Sequence, residues 1–150
     1  MRKQENNLKP AMPVLGHGKK PVVAKFESAE EFGELIVKVV LEVEKLNKKS
    51  IAIIGRTLSE CKSISEILKK QSVIKWELVK ENDRKLKLDK IIIPAYLTKG
   101  LEFDCSVIYN CSDQNYRSCE LDKKMLYVAL TRALHLEYIF YEGEKSSLID

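Results

Sequence analysis

No apolar run in these 150 residues is long enough to span a bilayer. The start, Met1-Arg2-Lys3-Gln4-Glu5-Asn6-Asn7, has no apolar core behind its basic residues. Neither a membrane span nor a signal peptide is therefore expected, and a cytoplasmic protein is. The cysteines Cys61, Cys105, Cys111 and Cys119 form no Cys-x-x-Cys pair, and His17 and His135 are remote from them in sequence. Structural zinc needs paired ligands at short spacing, so no metal site is expected. Reduced, mostly buried thiols account for the cysteines better. Gly16-His17-Gly18-Lys19-Lys20 lacks the Gly-x-x-x-x-Gly-Lys-[Ser/Thr] spacing of a phosphate loop. No internal repeat or low-complexity tract is present.

What remains is the composition of one ordinary globule, 45% hydrophobic and 32% charged. The length suits a single domain with a real core. Residues 1–20 carry Pro10, Pro13, Gly16 and Gly18, with Pro21 just after, and show no periodicity. They read as a linker or irregular lead-in, and residues 21–150 as the domain. The net charge of +4 is uneven: residues 51–100 hold 11 Lys/Arg against 6 Asp/Glu, residues 101–150 hold 5 against 9. A basic middle can attract phosphates. On charge alone a solvated lysine-rich face is the simpler reading, because a pI near 8.8 is modest for a nucleic-acid binder.

Val22 to Phe26 reads as a first strand. Ser28-Ala29-Glu30-Glu31 is a capping box ahead of Phe32, Leu35, Ile36, Val39, Val40, Val43 and Leu46, which recur at helical spacing. A helix over 29–47 follows. Ile51-Ala52-Ile53-Ile54 is wholly apolar, the pattern of a strand covered on both faces. Ser59 to Lys70 predicts a second helix. Val73 to Val79 and Arg84 to Leu88 suggest a strand pair around the turn at Glu81-Asn82-Asp83. Lys90 to Ile93 and Ser106 to Tyr109 predict buried strands. Asp122 to Ala133 predicts a helix, and Tyr138 to Tyr141 a last strand. Strands alternating with helices imply an α/β domain with a mainly parallel sheet.

Two strings carry the chemistry. Arg132 lies near the end of the last predicted helix, in Leu126-Tyr127-Val128-Ala129-Leu130-Thr131-Arg132-Ala133. An isolated arginine there would simply face the negative end of the helix dipole. A planar, always-charged guanidinium also suits the charge that builds on a transferred phosphoryl group. The other string is Thr98-Lys99-Gly100-Leu101-Glu102-Phe103-Asp104. Gly100 permits a close approach or a conformation barred to other residues. Glu102 can accept a hydrogen bond from a sugar hydroxyl. By itself Thr-Lys-Gly is also an ordinary surface turn before a strand.

In this order the two strings resemble motifs V and VI of the UvrD/Rep-like superfamily 1 helicases. Those motifs belong to the second RecA-like domain, which closes over ATP held mainly by the first. The resemblance covers roughly residues 20–142, with specific motifs in 96–133. It implies a RecA-like α/β fold of the P-loop NTPase type. It implies that Arg132 is the arginine finger, and that Gly100 and Glu102 meet nucleotide, Glu102 at the ribose. Thr98 and Lys99 would contact phosphate of nucleotide or DNA. Ile51-Ala52-Ile53-Ile54-Gly55-Arg56-Thr57 is similar to a segment that lies near the DNA path in relatives. Arg56 and Thr57 would then bind single-stranded DNA, although helix capping by Thr57 explains the pair as well. Many relatives carry a histidine where this chain has Tyr96, so that role does not transfer; an aromatic there can stack on a base or merely pack. Asn115-Tyr116-Arg117-Ser118 spells another family motif, but out of order, and reads as a coincidence in a loop.

Only forty residues separate Thr57 from Thr98, which leaves no room for the large accessory domain of UvrD and Rep. That compactness is most like the helicase IV (HelD-like) branch. The implied function is an ATP-dependent DNA helicase or translocase, with Mg2+ and ATP bound mainly by an N-terminal RecA-like domain. This chain alone is not expected to hydrolyse ATP. The implied partners are single-stranded DNA and that N-terminal domain. Two other readings remain: an ATP-driven interaction module acting on RNA polymerase, as HelD-like proteins do, and a stand-alone relic whose motifs survive as core.

Overall fold

Ile51–Gly55 is buried at every position, so this strand sits with neighbours on both edges and layers on both faces. It is the second strand, β2, of a six-stranded sheet in a computed structural model that describes residues 20–71, 74–81 and 89–149. The other strands are β1 (Val22–Phe26), β3 (Glu77–Leu78), β4 (Lys90–Pro94), β5 (Phe103–Ile108) and β6 (Ala133–Glu142). Their order is β1-β6-β5-β2-β4-β3, and every pairing is parallel. The expected α/β RecA-like sheet flanked by helices is thus present. Among the described residues no helix is long and apolar enough to cross a membrane.

Helix α1 (Ala29–Lys45) starts where its capping box requires. Ser28 Oγ accepts from the Glu31 amide at 3.1 Å, while Glu31 reaches back to the Glu27 amide at 2.6 Å. Its inward stripe of Phe32, Ile36, Val39, Val40 and Val43 joins Cys61, Ile64 and Leu68 of α2 (Leu58–Gln71) on one sheet face. Helix α3 (Glu120–Leu130) covers the other face through Leu126, Ala129 and Leu130. Leu148 and Ile149 complete that layer.

The β2 connection leads to α2 on one face, whereas the β5 connection leads to α3 on the opposite face. β2 and β5 are neighbours, so a crevice opens between the loops at their carboxyl ends. In open α/β sheets that crevice is where ligands bind.

The structure revises several boundaries. α2 begins at Leu58 because Thr57 caps it. α3 spans Glu120–Leu130, so Thr131 and Arg132 form a tight turn and Ala133 already belongs to β6. β6 is ten residues long, far longer than the apolar run Tyr138–Tyr141. β5 starts at Phe103, inside the first motif string. Of the expected strand pair, Glu77–Leu78 is a strand beside β4; Arg84 to Leu88 lies outside the described residues, as does nearly all of the 1–20 lead-in.

Candidate functional site

The first motif string is the connection from β4 to β5. A 3-10 turn at Ala95–Leu97 follows β4. Thr98 is fully buried, and its hydroxyl donates to the Ala95 carbonyl at 2.7 Å. Its own carbonyl accepts from the Leu101 amide at 2.9 Å. Between them Gly100 takes φ +80°, and a Cβ built there would meet nothing within 4 Å. Glycine is needed here for its backbone conformation and not for space. Lys99 and Glu102 are exposed on either side of it. Asp104, already in β5, accepts the amides of Lys49 and Ser50 at 3.0 Å each, and so fastens the start of β2 to β5. Burial pushes the Asp104 carboxyl up, but those amides outweigh it and hold it below the ordinary range.

Arg132 joins the two strings. Its Nε donates to the Val128 carbonyl at 2.9 Å, and its Nη1 reaches the carbonyls of Thr98 and Leu101 at 3.3 and 3.4 Å. Nη2 reaches Thr131 Oγ1 at 3.2 Å. Every one of these acceptors is neutral. Among the described residues no carboxylate lies within ion-pair distance of Arg132, so its charge has no internal partner. Arg132, Thr98, Gly100, Leu101 and Glu102 therefore form one neighbourhood, at the turn between α3 and β6.

Arg56 and Thr57 lie elsewhere, at the carboxyl end of β2 in the crevice beside β5. α3 runs between the two places, and its 11 residues span about 16 Å. Arg56 Nη1 donates to Asp122 Oδ1 and to the Asn115 carbonyl, both at 2.6 Å. Its side chain is 19% exposed and that of Asp122 0%. Arg117 brings its amide (2.8 Å) and Nε (3.4 Å) to the other oxygen of Asp122. Burial pushes the Asp122 carboxyl up, but the Arg117 amide and the Arg56 guanidinium outweigh it and keep it below the ordinary range. Glu60 accepts from the Arg56 amide at 2.8 Å and from Asn115 Nδ2 at 3.0 Å. Tyr116 is buried with its ring centroid 5.8 Å from the Arg56 guanidinium. Thr57 Oγ1 accepts from the Glu60 amide at 3.1 Å.

The four residues expected on DNA are thus differently presented. Lys99 is exposed. Thr57 is exposed, with its hydroxyl oxygen used as a helix cap. Arg56 is ion-paired, and the Thr98 side chain is buried. Asp122, Asn115, Arg117 and Glu60 escaped the sequence reading. An aspartate in a first helical turn reads only as a complement to the dipole, and Asn115-Tyr116-Arg117 as a loop coincidence. Yet these residues form the densest polar network of the crevice.

Among the described residues no group of three His, Cys, Asp or Glu is placed to hold a metal ion. A groove of about 730 Å³ between α1 and the β3 edge is lined by Val37, Leu41 and Trp76 and by no residue of either motif string.

No family model and no curated protein matches the chain. Solved structures do. The C-terminal domain of a possible DNA helicase from Lactobacillus plantarum WCFS1 is 25% identical, with a TM-score of 0.79 over 97% of this chain and 92% of that one. The SWI2/SNF2 ATPase core of Sulfolobus solfataricus, in complex with dsDNA, is 18% identical, with a TM-score of 0.57 over 81% of this chain and 27% of that one. The second likeness concerns the fold alone. The chain has the RecA-like fold of helicase motor domains, and along nearly its whole length it is similar to the C-terminal domain of a possible DNA helicase.

Proposed function

We propose that this chain is the second RecA-like domain of an ATP-dependent superfamily 1 DNA helicase or translocase, of the compact HelD-like kind. The observation that carries the reading is Arg132. It is oriented by four neutral acceptors and keeps an unneutralised charge at the tip of the α3–β6 turn. Such a group fits an incoming phosphate.

In this reading ATP, with its Mg2+, is presented by an N-terminal RecA-like domain and supplies the phosphoryl group to be transferred. Arg132 offers its guanidinium to the oxygens on which negative charge builds. Glu102, exposed beside Gly100, accepts from the ribose. Because Arg132 is bonded to the Thr98 and Leu101 carbonyls, any movement of the β4–β5 connection moves the finger. Lys99 on that connection and Thr57 at the crevice provide the grip on single-stranded DNA, so grip and finger change together.

The test joins this chain to a phosphate-loop domain and measures ATP hydrolysis with and without single-stranded DNA, beside the Arg132→Ala variant. A DNA-stimulated rate that collapses in the variant is expected. A rate indifferent to both would sink the reading and leave the RNA polymerase-directed module in its place.

A further inference from the structure

The crevice between β2 and β5 holds two arginines that converge on one carboxylate of their own chain. Arg56 and Arg117 both bind Asp122, and the hydrogen bonds drawn by Arg56 use only its amide and Nη1. The Arg117 side chain is 67% exposed. The Asn115 side chain is fixed to Glu60 and to the Asn110 carbonyl, which holds the rim of the crevice in shape. Two guanidiniums at a switch point of the sheet are suited to a phosphodiester, because each can offer a planar pair of donors.

We propose that Arg56 and Arg117 form a phosphate-accepting site for the backbone of single-stranded nucleic acid, which Asp122 fills as an internal stand-in until a strand phosphate displaces it. The inference rests on the functional reading above and adds to it a defined exchange of partners. Asp122 belongs to the first turn of α3, and Arg132 follows the last turn of the same helix. Release of Asp122 frees the amino end of the rod whose carboxyl end carries the finger. Asp113, Glu142 and Glu144 make an acidic rim on the β6 side. A bound strand therefore leaves the crevice on its β4 side, away from that rim.

The chain itself allows the test, by fluorescence anisotropy with a labelled oligothymidylate over a range of salt. Asp122→Asn keeps the shape and an acceptor for the Arg117 amide but removes the competing charge. It should bind the oligonucleotide about tenfold more tightly, and each further phosphate engaged steepens the salt dependence by about 0.7 in the log–log slope. A merely structural Asp122 would give weaker binding or none, and that result overturns the inference. Arg117→Gln should keep the chain folded with a slightly lower melting temperature, because Asp122 keeps the Arg56 guanidinium and the residue-117 amide, and should weaken binding several-fold; unchanged affinity overturns the inference even if Asp122→Asn does not fold. Release of the oligonucleotide by ATP would assign the arginines to nucleotide and also overturn it. Loss of binding in Lys99→Ala, together with no effect of Arg117→Gln, would leave the helicase reading standing and remove this one.

Discussion

The carbonyl of Arg132 accepts from the Phe103 amide at 2.9 Å, while the guanidinium of the same residue reaches back to the carbonyls of Thr98 and Leu101. One residue thus holds the second half of the β4–β5 connection, by its backbone and by its side chain. Replacing Arg132 by alanine should cost the isolated chain about 1–3 kcal/mol in urea unfolding, since the bonds lost are to neutral acceptors of which the Thr98 carbonyl is buried. In a protein with a phosphate-loop domain the same change should lower kcat by about 10³–10⁵. Arg132→Lys should restore the charge without the fork and recover only part of the rate.

Glu137 is buried on β6, and Ser106 Oγ on β5 lies 2.5 Å from its Oε1. Among the described residues its Oε2 has no hydrogen-bond partner. Burial pushes the carboxyl well above its ordinary value of 4.5, and the Ser106 bond pulls it back only in part. The folded chain therefore binds a proton that the unfolded chain releases. The resulting stability is full below 4.5 and is lost as pH rises through the folded value. Urea unfolding in a pH series that starts below 4.5 and rises should show this decline. In Glu137→Gln the decline should be absent.

Asp104 has the opposite sign. Its folded carboxyl lies below the ordinary 3.8, so its stabilisation is present above that value and is lost as pH falls. Asp104→Ala gives up two amide partners at the start of β2 and should cost about 1–2 kcal/mol. The loss should shrink toward zero in acid, which a pH series of denaturant melts would reveal.

Gly100→Ala meets no atom but must adopt φ +80°, at a cost of about 1–2 kcal/mol. Gly100→Asn, which tolerates that region better, should cost less. Thermal melts of the two variants decide the ordering.

Thiol alkylation should separate the cysteines. Cys61, Cys105 and Cys111 are buried, and burial pushes the Cys61 and Cys111 thiols up to about 12. Cys119 is exposed at the cap of α3. Mass spectrometry of the native chain after iodoacetamide should find a single adduct, on Cys119.

Elements whose cause is local were legible in the sequence. The capping box at Ser28 and the apolar stripe behind it suffice for α1, and an unbroken apolar run suffices for the centre of the sheet at Ile51 to Ile54. β6 was only half legible, because His135 and Glu137 interrupt its apolar pattern. Glu137 is accommodated by the Ser106 bond from the neighbouring strand, which no local pattern announces. α3 was expected to run through Ala133, since nothing in Thr131-Arg132-Ala133 forbids helix. The chain turns there because β6 must pair with Phe103. The two strings meet through Arg132 at Thr98 and Leu101, as their shared neighbourhood in the fold requires, whereas the Arg56–Asp122 pair joins positions 66 apart and depends on the fold to exist.

The link between β4 and β5 is also a matter of length. Pro94 ends near the carboxyl edge of the sheet and Phe103 begins at the opposite edge, a drop of about 20 Å for six strand residues. Eight residues, 95–102, link them through nine Cα steps, which fully stretched reach about 30–32 Å. The 3-10 turn at Ala95–Leu97 uses up much of that surplus. A second hydrogen-bonded turn, from Thr98 to Leu101, takes up the rest. Removing one residue from it would open one of these turns, and with it the Thr98 and Leu101 bonds to Arg132, before it drew β5 out of register, so spacing constrains this segment as firmly as side-chain identity does.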